Sequence, residues 1–530
     1  MNNSEAKHPK GLYVLFFTEM WERFGYYLML GIFSLYMLDG WENGGMGFGS
    51  AKKSDIYGTY LGLVYLTPFL GGLLADRILG YRKSIIIGAL LMAAGYLLLS
   101  IHSTETFFAA LALIIAGNGF FKPNISTLLG NLYNQDQYKM NKDAGYNIFY
   151  MGINIGAFVC NFVAAFMRNN YGWNYAFIAA GIGMLIGVVT FIAGSKTVAE
   201  ADVIKPLEEG DMSTGKILSF TLLPMIIFGV LGYLIPGNLL GTDTNDAFIF
   251  GCIPVVAFFI YLYMKANEND KRPIGALLAV YACLVIFWAV FHQNGDALTV
   301  WAEDFTERTM PESLGNFADK VGMAQTVTFN GDSTDAKSAA YFSNLNPSEI
   351  PQEGSSLKLV STELYQSINP FWVVLLTPIV VGFWGFLRRR KKEPTTATKI
   401  TIGLVITALS ALVMVGAVVA SNNLGSKASS FWLIASYGVI TLGELCLSPM
   451  GLSLVSKLSP PRITALMMGG FFLSTSIGNK LSGMLSGMWE GFENKQHFFY
   501  MNFGLALAAA LMMFMLLRWL NQVMKEKNIY

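Results

Sequence analysis

The string Glu19-Met20-Trp21-Glu22-Arg23-Phe24-Gly25-Tyr26-Tyr27 sets two carboxylates, a guanidinium and two phenols inside an otherwise apolar run. Glu19, Glu22, Arg23, Tyr26 and Tyr27 stand at i, i+3, i+4, i+7 and i+8, which places them on one stripe of an α-helix. Lys122 lies deep in a second apolar run and Glu444 in another. Ionised groups facing lipid oppose insertion, so the stripe must face a cavity or other helices. Glu19, Glu22, Arg23 and Lys122 sum to zero charge, and a mutually paired cluster satisfies electrostatics. Such a cluster can bind and release protons and hold a charged solute. The plainer alternative is that the charges only hold helices together, but desolvation makes buried pairs a poor source of stability. Asp296 and Lys480 also sit in apolar runs, where each could approach a helix end and reach water.

The elements that position these groups follow from composition. Of 530 residues, 53% are hydrophobic and 13% charged, with a mean hydropathy of +0.46. A soluble chain carries about 25% charged residues. A membrane span needs roughly 20 apolar residues. Spans are expected at 13–38, 57–76, 83–101, 106–129, 143–167, 173–195, 217–236, 247–266, 274–300, 367–388, 399–421, 429–455, 462–488 and 497–520. These fourteen leave no room for a large soluble domain. The start, MNNSEAKHPKGLY, has no short apolar core with a small-residue cleavage site, so the first span is expected to remain in the protein. A net charge of +1 gives no sign of a nucleic-acid partner. Cys160, Cys252, Cys283 and Cys446 fall in apolar runs without CxxC spacing and read as small buried side chains.

Basic residues collect in alternate loops: Arg77, Arg82 and Lys83; Lys139 and Lys142; Lys265, Lys271 and Arg272; Arg388 to Lys392; Lys457 and Arg462; Lys525 and Lys527. The positive-inside rule then puts both termini in the cytoplasm, as an even number of spans requires. Residues 40–55 form a Gly-rich external link. Residues 306–364 form a longer external segment, either a small lid or largely without fixed structure. Pro123 in GFFKPN aligns with Pro449 in LSPMG, and Asn154-Ile155-Gly156 with Ser476-Ile477-Gly478, at nearly equal offsets. A duplicated six-helix unit gives that pattern. The expected division is a first bundle at 1–195, a linker with an inserted two-helix hairpin at 196–273, and a second bundle at 274–530. This all-α arrangement is similar to major facilitator transporters, whose substrate site lies between the halves near the midplane. The loop GGLLADRILGYRKS (71–84) resembles that superfamily's signature.

The combination of ExxERFxYY, Lys122 in GNGFFKP and FYMGINIGAF at 149–158 resembles the proton-dependent oligopeptide transporter family. YLTPFLGGLLAD (65–76), Phe287-Trp288 with Gln293 and Gly295, INPF (368–371) and GELCLSPMGLS (443–453) extend the likeness in order along the chain. Fourteen helices is the bacterial form of that family. The resemblance implies that Arg23, Lys122 and Tyr27 hold a peptide carboxylate and that Asn154, Asn369 and Glu444 receive the peptide amino terminus. It implies proton binding at Glu19 and Glu22, coupled to Arg23 and Lys122. Tyr65, Trp288 and Phe472 would line side-chain pockets, with ordinary helix packing as the alternative. One departure stands out. Many members carry an Arg one turn beyond the tyrosine pair, matched by an acidic residue in helix 7; here those positions hold Leu30 and His292. His292 thereby becomes a further candidate for proton coupling.

The chemistry suits the task apart from the likeness. A zwitterionic peptide needs a cationic and an anionic pocket, and the Arg23–Lys122 end and Glu444 supply one in each half. The expected function is therefore proton-coupled import of di- and tripeptides across a bacterial inner membrane by a monomer, driven by the proton gradient without a cofactor. A relative carrying nitrate, an amino acid or a drug-like anion is the nearest alternative. A membrane-embedded hydrolase lacks its motifs, since there is no HExxH or GxSxG and His8, His102, His292 and His497 are scattered. A channel fits a duplicated helical core with midplane charges less well than alternating access does.

Overall fold

The computed structural model of the chain describes residues 8–138, 141–204, 213–329, 341–345, 351–460 and 463–527. Lys139 and Arg462, counted among the basic loop residues, lie outside them. The first six helices are α1 (Lys10–Leu38), α2 (Ser50–Leu74), α3 (Tyr81–Leu99), α4 (Thr104–Leu132), α5 (Lys142–Tyr171) and α6 (Trp173–Gly194). A hairpin follows, built from α7 (Thr214–Phe220), α8 (Leu222–Tyr233) and α9 (Asp243–Lys265). Next, α10 (Glu268–Phe291) runs through a tight turn at His292–Gly295 into α11 (Ala297–Asp304). An insert holds β1 (Thr306–Glu307), α12 (Glu312–Lys320), β2 (Ala324–Thr328) and β3 (Ser356–Val360). The chain closes with α13 (Ile368–Arg389), α14 (Thr396–Ala420), β4 (Ala428–Ser429), α15 (Ser430–Leu458), α16 (Thr464–Gly487) and α17 (Lys495–Glu526).

Each expected span is thus helical. Among the described residues, eleven helices are long and apolar enough to cross a membrane by length and composition, and α1, the α7–α8 pair and α16 occupy the other three positions. One hydrophobic core gathers side chains between Leu12 and Ala201, and another gathers side chains between Phe248 and Met524. The loop at 76–84 acts as a fastening within the first half. Asp202 accepts from the Tyr81 amide at 2.7 Å and the Arg82 amide at 3.2 Å, placing a carboxylate at the α3 amino end, where the helix dipole favours it. Gly80, at φ +78°, makes the turn that this requires.

The halves meet most closely along α2 and α16. A Cβ on Gly58 would lie 2.9 Å from the Gly483 Cα, so two backbones touch where both residues lack side chains. The hairpin docks on this seam: Thr244 of α9 hydrogen-bonds Asp55 of α2, and Phe248 packs over Gly62. The insert is a small folded unit in its described parts. β2 and β3 pair antiparallel, and β1 pairs with β4 in parallel. Buried Arg308 holds it down through the Val360 carbonyl at 2.9 Å and the Glu303 carbonyl at 3.1 Å. The described parts of the loops 40–49 and 305–367 come together around one hollow at one end of the bundle, called here the insert face. By the alternation of the helices, the described basic loops fall at the other end, the basic face.

Candidate functional site

Helical spacing on α1 does what the sequence implied. Glu19, Glu22 and Arg23 are all buried. Arg23 Nη2 donates to Glu22 Oε1 at 2.6 Å, its Nε makes a second, shorter bond to Glu22, and Nε lies 3.3 Å from Glu19 Oε1. The guanidinium carbon sits 4.9 Å from the Tyr26 ring centre and 5.9 Å from that of Tyr27. Lys122 on α4 behaves differently. Its ammonium lies 4.0 Å over the Tyr65 ring and makes no ion pair within 4 Å among the described residues. A cation on an aromatic face keeps some favourable interaction while remaining available to an anion.

Above this layer, between the halves, is a cavity of about 210 Å³. Tyr27, Tyr65 and Asn154 line it from the first half, and Trp288, His292, Asn369 and Glu444 from the second. Asn369 Nδ2 donates to Thr441 Oγ1 at 2.9 Å and to Glu444 Oε2 at 3.3 Å. Among the described residues Glu444 has no cation within ion-pair distance. Asn154 Nδ2 is held by the Tyr150 carbonyl on its own helix at 2.9 Å. Trp288 Nε1 and His292 Nδ1 have no hydrogen-bond partner among the described residues. The His292 ring lies 5.1 Å from that of Trp288 and 6.0 Å from that of Tyr65. Leu30 lines the same cavity from the first half. The exchanged pair noted in the sequence therefore faces one cavity.

Glu19, Glu22, Arg23 and Lys122 are not among the side chains lining this cavity, and neither is Phe472. Its ring packs on the second hydrophobic core, 6.0 Å from Phe471. An aromatic residue on an all-apolar helix gives no signal of which face it serves. The cavity also takes in Tyr57, Tyr150, Asn161, Gln366 and Tyr437, which sequence reading passed over. A larger polar hollow of about 390 Å³ opens at the insert face beside Arg168, Asn169 and Gln325. It lies away from the α1 charges, and the smaller cavity is the one that gathers chemistry.

Polar contacts that tie the halves together are gathered toward the insert face. Lys53 pairs with Asp296, and Lys480 reaches Asp55 at 2.5 Å and Thr59 at 2.6 Å. Arg168 meets Glu363 at 2.5 Å, Asn161 donates to Ser367 at 3.0 Å, and Ser34 to the Gly295 carbonyl at 2.8 Å. Asp296 and Lys480 thus join the two halves instead of reaching water, and both are fully buried. Their partners Lys53 and Asp55 sit at the very start of a span, where a charge looks like ordinary helix-end polarity. The insert face is closed by these links.

Comparison with known proteins now bears on the site. The POT family profile matches residues 82–330 and 355–504. The chain belongs to the POT family. POT members are transporters, not enzymes. Among relatives, the uncharacterized transporter YclF of Bacillus subtilis (strain 168) is 29% identical over 498 residues, covering 93% of this chain and 90% of that protein. A di-/tripeptide transporter of Lactococcus lactis subsp. lactis (strain IL1403) is 29% identical over 503 residues, covering 93% and 91%. A crystal structure of a peptide transporter POT in complex with sulfate superposes with a TM-score of 0.78 at 29% identity, covering 97% and 96%. This POT chain therefore has the major facilitator-like helical architecture of its relatives across nearly its whole length.

The link between Lys53 and Asp296 generates a prediction. Lys53→Ala strands a buried carboxylate, at a cost on the order of 3–5 kcal/mol. Adding Asp296→Ala removes the stranded charge, so the double variant should lose less than the sum of the singles. Unfolding in detergent across the four proteins measures this, and strictly additive losses would show that the pair is not coupled.

Proposed function

We propose that this POT transporter is a proton-coupled symporter that imports di- and tripeptides by alternating access. The observation that carries the reading is one cavity between the halves, lined from the second half by Glu444 and from the first by Tyr27 and Tyr65, the rings beside which the cations of Arg23 and Lys122 lie. Arg23 and Lys122, with Tyr27, would take the peptide carboxylate. Asn154, Asn369 and Glu444 would take its amino terminus, and Tyr65 and Trp288 its side chains. Arg offers a planar fork suited to a carboxylate and Lys a mobile point charge. A relative named for di- and tripeptide transport supports this substrate class.

Coupling follows from competition for one guanidinium. While Glu22 and Glu19 are ionised, Arg23 is engaged by them. Protonating either carboxylate weakens that hold, and Arg23 can turn to the substrate carboxylate instead. A peptide spanning both ends draws the halves together, and its differential affinity for that state drives the change. In this scheme residues 1–195 and 274–530 move as two bodies joined by 196–273. The insert face is external and the basic face, with both termini, cytoplasmic, in a bacterial inner membrane. The protein works as a monomer and needs no cofactor beyond the proton gradient.

Uptake of labelled dipeptide into proteoliposomes with an imposed pH gradient tests the whole reading. Accumulation of nitrate or an amino acid in place of peptide would reassign the substrate. Glu22→Gln keeps the shape but cannot release a proton, so it should abolish uphill uptake while retaining some peptide exchange without a gradient. Normal concentrative uptake by this variant would remove Glu22 from coupling. Glu444→Ala should cost on the order of 2–5 kcal/mol for peptides with a free amino terminus, and less for N-acetylated ones. Equal losses for both would mean that Glu444 serves the fold or the gate. His292 replaces the acidic residue of many relatives, and an imidazole titrates near pH 6.5 when unperturbed. His292→Gln should shift or flatten the pH–rate profile between about pH 5.5 and 7.5, with saturating-proton affinity within a few-fold. An unchanged profile would return His292 to a packing role.

A further inference from the structure

The end of α13 displays a surface that lies outside the cavity between the halves. Arg388, Arg389, Arg390, Lys391 and Lys392 are consecutive and all exposed. They are held in a fixed array. Arg390 N bonds the Phe386 carbonyl at 3.2 Å, Lys391 N the Arg388 carbonyl at 2.9 Å, and Lys392 N the Leu387 carbonyl at 2.9 Å, with Lys391 at φ +54°. That is a helix stop in the left-handed conformation, and the carboxyl end of a helix favours cations. Glu393 accepts from Arg388 at 2.5 and 2.9 Å and from Lys399 at 2.6 Å. The hydrogen bond from Arg388 helps to hold its carboxyl down to about 2, so it stays ionised and engaged at neutral pH. Among the described residues the other four cations make no ion pair, and Arg390 lies 4.2 Å over the Phe386 ring.

Among the described residues, the helix leading to this collar is the most open of those long and apolar enough to span. Only 17% of its apolar window is buried, against 28% or more in the other helices long and apolar enough to span. Val374, Ile379, Val381 and Phe383 are more than half exposed. On the same helix, Gly382 and Gly385 have nothing beyond adjacent residues and the helix's own backbone within 4 Å of where a Cβ would stand, leaving a smooth strip of backbone. Leu375, Gly382, Phe386 and Arg389 fall at helical spacing, so the strip leads along one face to the collar. From Gly382 to Arg389 the rise is about 10 Å. An acyl chain laid on the strip therefore brings its headgroup phosphate level with the arginines.

We propose that the α13 strip and its collar of Arg389, Arg390, Lys391 and Lys392 form a binding site for an anionic phospholipid. The occupant is set by both chemistries together: an apolar chain along the helix and a negative headgroup at its end. Arginine forks suit phosphate oxygens, and a basic cluster directly beyond a span is drawn to anionic headgroups. The site needs the helix to border lipid but does not depend on which leaflet the collar faces.

The test uses the full chain in vesicles of neutral phosphatidylcholine with or without phosphatidylglycerol in both leaflets. Native mass spectrometry of protein extracted from the mixed vesicles should show phosphatidylglycerol retained by wild type. Retention should fall at least several-fold when Arg389, Arg390, Lys391 and Lys392 are all replaced by Gln. A control carrying Gln at exposed Lys83, Lys265, Lys525 and Lys527 should keep it, and Gly382→Leu should weaken it with the charge unchanged. Equal loss in the control would show bulk charge rather than a site. Displacement by soluble glycerol phosphate would show that free phosphate suffices, and no loss in the collar variant would overturn the proposal outright. None of these readouts requires transport, so they fail separately from the peptide assignment.

Discussion

Everything at the centre of this molecule depends on the cost of an unpaired charge away from water. Arg23 is tolerated within α1 because Glu22 holds it through two bonds and Glu19 stands beside it. That local neutralisation leaves the other two charges, Lys122 and Glu444, without such partners. One rests on an aromatic face and the other on an asparagine amide. A solute with both signs would satisfy the two at once, which neither can do for the other within its own half. Under the proposed peptide transport, desolvation would convert a structural liability into selectivity for doubly charged solutes.

The same cost organises the closed face. Cross-half pairs are only tolerable in a dry interface when both members arrive together, and Lys53–Asp296 and Lys480–Asp55 do so. The hairpin shares in this arrangement, since Thr244 also reaches Asp55. It therefore braces the seam as well as filling space between halves. The insert, rooted by Arg308 in the second half, reaches the first through Asn169, which donates to the Gly322 carbonyl at 3.0 Å and to Ser361 at 2.7 Å.

Much of this was legible in the residues. Runs of about 20 apolar side chains fix where helices cross a bilayer, because backbone groups there must bond internally. The α1 stripe was readable since i, i+3, i+4 spacing is a property of one helix alone. Partners across the halves were not, because Lys53 and Asp296 are joined by packing that no local pattern records. Phe472 was assigned to a pocket and packs on a core instead, for the reason that apolar helices offer no amphipathic contrast to orient a ring. For the insert the sequence allows either a lid or a segment without fixed structure, and its described parts are held by buried Arg308, two short strand pairings and a small apolar cluster around Val327, Tyr341 and Leu359.

The touching glycines of α2 and α16 carry a mechanical consequence. Under the proposed alternating access, two helices in backbone contact at Gly58 and Gly483 would serve as a fulcrum: they would roll about that point, since separating there forfeits the contact. A roll that parts the halves on one side of the fulcrum presses them together on the other. Opening one mouth and shutting the opposite one would then be a single rigid-body motion, and in that scheme a continuous leak for small ions would be geometrically suppressed without any moving plug. A side chain at either glycine would act as a wedge, and its first effect would be on tightness to ions.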